Sequence, residues 1–275
     1  MNDIILNNGE SIPWIGLGTF PMKDEECATA VKYAVKNGYR LFDSAAAYRN
    51  AEVLGKALKE NFSSRDDYKI MTKLSNRQQR TLDVRKALVD SLHYLGMDYV
   101  DFYLLHWPNP GTYVECYQQM EELVKEGLVK NIGVSNFHRH HMEELFKYMR
   151  IKPVVNQVEL HPKLNQEELA RYCYDNNIRM VSYSPFARMH PRLIEDVILN
   201  DIANKYNVTV TQVIVRWNYQ KGYVVIPKSA NDERQRNNIS VDTFELTEEE
   251  MERINSCNED YTVRHNPDTC DFMRL

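Results

Sequence analysis

The chain lacks most of what would set it apart from an ordinary globular protein. No run of apolar residues approaches the roughly 18 that a membrane span needs, and "MNDIILNNGE" has no charged segment followed by a long apolar one. The expectation is a cytoplasmic protein without a membrane partner. Its 5 cysteines, Cys27, Cys116, Cys173, Cys257 and Cys270, show no C-x-x-C spacing, and an odd number suits a reducing compartment better than a disulfide framework. In that compartment the sequons at Asn61, Asn207 and Asn238 are chance matches. A basic stripe is missing too: with a net charge of -5 and mixed signs throughout, nothing tracks a phosphate backbone, so no nucleic acid is expected. The one basic concentration, near Lys228 and Arg234, suits a small anionic ligand.

Two motifs are also absent. Without a G-x-S-x-G there is no basis for serine-nucleophile chemistry. Without a G-x-G-x-x-G after the first strand, an open doubly wound dinucleotide fold is weakened, because "GLGTFPM" has only the two glycines of a tight turn. No Pro/Ser-rich linker or composition shift divides the chain, so residues 1–275 are expected to form a single domain. At 43% hydrophobic and 27% charged residues, that domain can bury a sizeable core.

What is present is an alternation of short apolar runs with amphipathic helical patterns. The strand candidates are "IGLGT", "RLFD", "KIMTK", "VDFYLLH", "VKNIGVS", "PVVNQ", "RMVSY" and "YVVIPK", eight in all. Between them Asp24 is a candidate helix cap, followed at one-face spacing by Cys27, Ala30, Val31, Ala34 and Val35 and stopped by Gly38. Thr112 with Glu115, Asn165 with Glu168 and Thr209 with Gln212 have capping-box spacing or resemble it, and Gly96, Gly127 and Gly222 sit where helices stop. Parallel neighbours need a crossover, and eight βα units are the number that closes an α/β (β/α)8 TIM barrel. The first residues, "DIILNNGESIPWIG", read as a β-hairpin turning at Asn8-Gly9 and plugging the barrel's bottom.

In such a barrel the active site lies at the C-terminal ends of the strands. Those ends carry Asp43, Lys73, His106, Ser135 with Asn136, Asn156 with Gln157, Tyr183 with Ser184, and Lys228 with Ser229. Any one alone is what a strand leaving the core would show. An acid, a base and an imidazole on adjacent strands, facing one mouth, are harder to assign to coincidence. Tyr48 follows Asp43 by five residues. A free phenol, with a pKa of about 10, is a weak acid for carbonyl protonation near neutrality, and a nearby cation would lower it. The residues therefore suggest that Asp43 positions Lys73, Lys73 tunes Tyr48 as a general acid, and His106 orients a carbonyl oxygen.

The sequence resembles the aldo-keto reductase family along essentially its whole length. "GYRLFDSA" with Tyr48 is similar to the family's first signature, "LVKNIGVSNF" to its second and "IPKSANDER" to its third; "LLHWP" and "NQVELHP" are also family-like. The resemblance implies a barrel whose members reduce aldehydes and ketones with a nicotinamide cofactor bound without a Rossmann loop. Asp43, Tyr48, Lys73 and His106 would then be the catalytic tetrad, with Tyr48 as proton donor. Ser135, Asn136 and Gln157 would hold the nicotinamide carboxamide and Tyr183 would stack on its ring, with Ser184 beside it. Lys228, Ser229 and Arg234 would take an adenosine 2'-phosphate, favouring NADPH/NADP+, with Asn238 near the adenine and the backbone beside Thr19 in the same cleft. Phe20, where many relatives carry tryptophan, and Trp107 would be apolar walls against a small carbonyl substrate. The compact length resembles the microbial branch that reduces sugar-derived or dicarbonyl compounds, and a monomer is the family's common state.

Three positions depart from the pattern. Ala51 stands where the family usually has glutamate, with Glu52 next, and Asn237 replaces another frequent glutamate. The usual Pro-Leu-Gly after Tyr183 and Ser184 is replaced within "SPFARMHP", where Arg188 either pairs with phosphate or is a solvated loop residue. Only "WPNPG" separates the fourth strand from Thr112, which predicts an open mouth, and the tail "RHNPDTCDFMRL" is expected to fold over one side of it. Two other readings stay open. One is an NADPH-binding regulatory subunit with little turnover. The other is a metal-dependent TIM-barrel hydrolase, disfavoured because there is no H-x-H on the first strand and Lys73 would repel a metal; His138, His140 and His141 read as a solvated helix start and His161 as structural.

Overall fold

A computed structural model describes residues 1–274, so Leu275, the last residue of the tail segment, lies outside the described residues. A two-stranded antiparallel hairpin, β1 (Ile4–Ile5) and β2 (Ser11–Ile12), precedes an eight-stranded parallel sheet. The sheet is built, in chain order, from β3 (Leu17–Gly18), β4 (Leu41–Asp43), β5 (Lys69–Leu74), β6 (Val100–Leu105), β7 (Val129–Ser135), β8 (Val155–Glu159), β9 (Arg179–Tyr183) and β10 (Val224–Ile226). The first and last strands meet through Gly16 N–H to Val225 O at 2.9 Å, Val225 N–H to Trp14 O at 2.9 Å and Gly18 N–H to Pro227 O at 3.0 Å, which closes the barrel.

Strand alternation places the site. A buried cluster of Leu41, Met71, Phe102, Leu104, Val155, Val181, Val224 and Ile226 fills the interior, with Leu6 and Ile12 of the hairpin against its lower end. Side chains two apart on a strand share a face. The residues two beyond these apolar ones are therefore Asp43, Lys73, His106, Gln157, Tyr183 and Lys228, each carried to the mouth on the inward face. Gly133, two before Ser135, belongs to the same face; a Cβ there would meet Leu104 Cδ2 and Val155 O at 2.8 Å, so only glycine fits between its neighbours. Outward residues such as Phe42, Ile70, Tyr103, Ile132, Val134 and Val158 belong to the second, larger cluster under the helices.

The expected strands "VKNIGVS" and "RMVSY" coincide with β7 and β9, whereas "PVVNQ" starts two residues before β8, which runs on to Glu159. Gly38, Gly96, Gly127 and Gly222 all have positive φ just beyond helices, and Thr209 with Gln212 forms a capping box. Three expected caps differ. Asp24 is the first residue inside its helix (Asp24–Lys36), behind Lys23 at the cap, and has φ 45°. Gln166, rather than Asn165, occupies the cap of Glu167–Asp175, although Asn165 Oδ1 still accepts from Glu167 N–H at 3.2 Å. Thr112 caps by position only, because its hydroxyl is engaged with Asn109 Nδ2 at 2.7 Å.

The hairpin turns through a Gly9 N–H to Leu6 O bond of 3.1 Å, with Gly9 at φ 86°. It is tied to the barrel by Asn8 Nδ2 to Asn131 Oδ1 at 2.7 Å and Asn7 Nδ2 to Pro153 O at 2.9 Å. At the opposite end the tail crosses the mouth. Arg80 Nη1 donates to Phe272 O at 3.0 Å, and the His265 ring lies 6.3 Å from that of Trp107.

Candidate active site

Asp43 and Lys73 end their inward faces on neighbouring strands, 4% and 1% exposed. Lys73 Nζ donates to Asp43 Oδ1 at 2.6 Å and to Ser44 O at 2.9 Å, and stands 3.5 Å from the Tyr48 hydroxyl. Asp43 Oδ1 also accepts from Gln157 Nε2 at 2.8 Å, tying β4 to β8 across the mouth. Tyr48 is delivered by the single 3-10 turn Ala46–Tyr48, after which Arg49 reverses the chain at φ 57°. Its ring lies 5.0 Å from Phe20 and 5.9 Å from His106, between centroids. All four expected tetrad residues are thus brought together.

The electrostatics differ from the sequence expectation at one point. Burial pushes the Tyr48 phenol above its ordinary value, Asp43 adds to this, and Arg264 opposes it. The expected lowering by Lys73 does not occur. Burial likewise lowers Lys73, with the charge and hydrogen bond of Asp43 opposing it. His106 is held well below the usual imidazole range by burial, then by Lys73 and Arg264. Near neutrality the site therefore presents a protonated phenol and a neutral imidazole.

A second network runs along β7 to β9. Tyr183 Oη donates to Asn136 Oδ1 at 2.8 Å, Asn136 Nδ2 donates to His106 O at 2.9 Å and to Ser135 Oγ at 3.1 Å, and Ser135 Oγ donates to Gln157 O at 2.8 Å. Asn136 leaves its strand at φ 61°, which asparagine tolerates better than most residues. These groups line a cleft of about 950 Å³ together with Phe20, Asp43, Tyr48, His106, Trp107, Ser184, Lys228, Ser229 and Arg234. Three expected residues do not line it. Lys73 is sealed behind Asp43, Asn238 is buried in its helix, and Thr19 is turned inward, its Oγ1 donating to Asp43 O at 2.9 Å, while Gly18 and Phe20 on either side reach the cleft.

The cleft's far end holds Lys228, Ser229 and Arg234 beside the first turn of the helix Asp232–Ile239, whose cap Asn231 accepts from Arg234 N–H at 2.9 Å. Lys228 is paired with Glu26 at 2.9 Å. In the altered loop Ala187, Arg188 and Met189 take φ of 44°, 56° and 60° in succession, a left-handed turn that costs about 1–2 kcal/mol per residue. It places Arg188 and Met189 on the cleft wall.

The histidine-rich helix start is not simply a solvated face. His138 Nδ1 is 2.8 Å and His140 Nε2 3.3 Å from the carboxylate of Asp268 in the tail, so these side chains fasten the tail. His141, pushed down to about 4 by burial and then by His140, lies beside them. His140, His141 and Asp268 have their ligand-type atoms within 4.8 Å of one another. None of the three lines the cleft. Fully buried His161 supports Glu159 through a 3.1 Å contact.

Sequence reasoning missed three residues. Buried Asn50 donates to Thr19 Oγ1, Thr19 O and Met22 O and accepts from Ser44 Oγ, locking the loop that carries Tyr48; its place in the first signature was the available signal. Glu159, sharing the inward parity of Gln157, accepts from Thr262, Val263 and Arg264. Arg264, on the cleft wall, belongs to a tail with no periodicity to announce it.

Comparison with known proteins agrees with this fold. The model of the aldo/keto reductase family matches residues 14–190 and 192–259. The chain is 43% identical over 268 residues to glyoxal reductase of Bacillus subtilis (strain 168), covering 97% of this chain and 96% of that protein. It superposes with a TM-score of 0.94 and 39% identity on MGS-M4, an aldo-keto reductase from a Medee basin deep-sea metagenome library, covering 98% and 99% of the two chains. An aldo-keto reductase of the silkworm, Bombyx mori, complexed with NADPH, aligns with a TM-score of 0.90 at 33% identity over 96% of this chain and 90% of its own.

Proposed function

Because the chain belongs to the aldo-keto reductase family, we propose that it reduces small aldehydes, ketones or keto sugars to alcohols with NADPH, Tyr48 giving the proton. The observation that carries this reading is the Tyr48 hydroxyl facing the cleft 3.5 Å from Lys73 Nζ, with neutral His106 beside it.

The cleft's chemistry fits the cofactor. Ser135, Asn136 and Gln157 offer amide and hydroxyl groups at adjacent strand ends, the Tyr183 ring supplies a flat apolar face, and Lys228, Ser229 and Arg234 gather donors at a helix N-terminus, where a phosphate is favoured. When bound, NADPH supplies a hydride for the carbonyl carbon. The chain's residues do the rest. His106 donates a hydrogen bond that fixes the carbonyl oxygen against Tyr48. As negative charge develops on that oxygen it becomes an alkoxide, a stronger base than phenoxide, and it takes the Tyr48 proton even though burial has weakened the phenol as an acid. The phenoxide left behind faces the Lys73 ammonium, which Asp43 keeps in place. Solvent then restores the proton.

Substrate preference follows the same logic. Phe20, Trp107 and Met189 make apolar walls, and glyoxal, on which the Bacillus relative acts by name, is a suitable first dicarbonyl. All 5 cysteines are free, which supports a reducing, cytoplasmic location. The test is NADPH oxidation followed by absorbance, over a panel from glyoxal and methylglyoxal to aromatic aldehydes and keto sugars. Turnover is expected, and Tyr48→Phe should lower it about 10²- to 10⁴-fold with NADPH affinity nearly unchanged. A variant keeping most of its rate would remove Tyr48 as proton donor; tight NADPH binding without turnover would favour a regulatory role.

A further inference from the structure

An acid reaches the phosphate end of the cleft from outside it. Glu26 does not line the cleft, yet its Oε1 is 2.9 Å from Lys228 Nζ, which does, and the two side chains are 50% and 38% exposed. Glu26 belongs to the first turn of the helix Asp24–Lys36. Buried Gln235 fixes that helix beside the cleft: its Nε2 donates to Ala30 O at 3.0 Å and to Ser229 O at 2.7 Å, and its backbone carbonyl accepts from Tyr39 Oη at 2.9 Å. The packing therefore holds the acid near the lysine. Asp232, which opens the helix carrying Arg234, is taken up by Lys36 at 2.7 Å and Asn37 Nδ2 at 2.8 Å. Of the two cations at this end, Lys228 is tied to a carboxylate and Arg234 makes no ion pair among the described residues.

We propose that Glu26 is a cofactor-specificity residue that competes with the 2'-phosphate for Lys228 and so limits the preference for NADPH over NADH. This rests on the 2'-phosphate reading above. With 2.9 Å on one side of the ammonium and about 3 Å on the other, carboxylate and phosphate oxygens bound to it together lie at most about 6 Å apart. That is inside the Debye length of about 8 Å at physiological ionic strength, so the two anions repel. If Glu26 lets go instead, the ion pair is lost. Either course weakens NADPH, whereas NADH brings no phosphate to the lysine and leaves the pair intact.

The experiment measures Kd for NADPH and NADH by fluorescence titration, at low and at high salt, in wild type, Glu26→Gln, Lys228→Met, the double variant and Arg234→Ala. Glu26→Gln should tighten NADPH about three- to fivefold at low salt, the scale of an exposed ion pair, and leave NADH nearly unchanged. High salt should erase most of that gain, and Lys228→Met should remove it, because the two residues act through one contact. An NADPH affinity that stays the same or falls in Glu26→Gln would overturn the proposal. So would equal tightening of both cofactors, which marks a general change in the cleft, or a gain that survives Lys228→Met. Arg234→Ala separates this failure from that of the premise: if it weakens both cofactors alike, the 2'-phosphate reading itself is wrong and this inference falls with it.

Discussion

Lys73 and Asp43 show what a buried ion pair costs and what it provides. Both charges are out of water, and removing either partner would leave the other uncompensated, a loss of about 3–5 kcal/mol. Burial first, and the Asp43 charge after it, hold the neighbouring Tyr48 phenol above its ordinary value. At the cofactor's far end the two cations are not equivalent. Lys228 is already paired with Glu26, whereas Arg234 makes no ion pair among the described residues, so Arg234 should carry more of any 2'-phosphate recognition. Arg234→Ala should weaken NADPH about tenfold or more and NADH far less, read by fluorescence titration of each cofactor. Equal weakening of both would remove the 2'-phosphate from the argument.

Among the elements, the end of β8 and the tail act as one clasp. Burial alone would raise the Glu159 carboxyl, but the hydrogen bonds from His161, Val263 and Thr262 outweigh it and leave the group below its ordinary value. A depressed carboxylate stabilises the fold above its unfolded pKa, about 4.3, and that stabilisation is lost as pH falls through the folded value. Protection of the Val263 and Arg264 amides against exchange, taken relative to the intrinsic rate at each pH, should therefore be high at pH 7 and fall in acid below that range, and Glu159→Gln should lower it at neutral pH. Slow exchange in the variant would show that other contacts hold the tail. Elsewhere two helices, Ala51–Asn61 and Val84–Leu95, touch so closely that a Cβ on Gly55 would meet Leu95 O at 2.0 Å. Gly55→Ala should lower stability by at least about 1–3 kcal/mol despite alanine's better helix propensity, seen as a lower melting temperature. An unchanged melt would mean the pair can slide apart freely.

Across the molecule, the first and last strands meet and the hairpin closes the bottom, so strands drawn from Leu17 to Ile226 form one closed sheet. If residues 1–275 are one cooperative unit, far-UV circular dichroism and tryptophan fluorescence should report the same melting transition. The 3 tryptophans make this a fair test, since Trp14 lies by the closing strand pair, Trp107 at the mouth and Trp217 in an outer helix, and all are buried. Separate transitions would divide the chain into units that the sequence did not reveal.

Strand order and the mouth's chemistry were legible because both are local. A β-strand repeats every two residues, so the apolar residue that fills the interior and the polar residue two positions later are fixed by adjacent letters of the chain: Leu41 and Asp43, Met71 and Lys73, Leu104 and His106. Helix stops at Gly38, Gly96, Gly127 and Gly222 were equally local, since each needs only a positive φ. The caps at Asp24 and Asn165 were misplaced because a one-residue shift at a helix start is set by what the turn packs against. Burial was beyond the sequence altogether. The direction of the Tyr48 shift, the Glu159 clasp and the guanidinium of Arg264 over Phe20 each depend on groups far apart in the chain meeting where water is excluded, which only the closed barrel and its tail bring about.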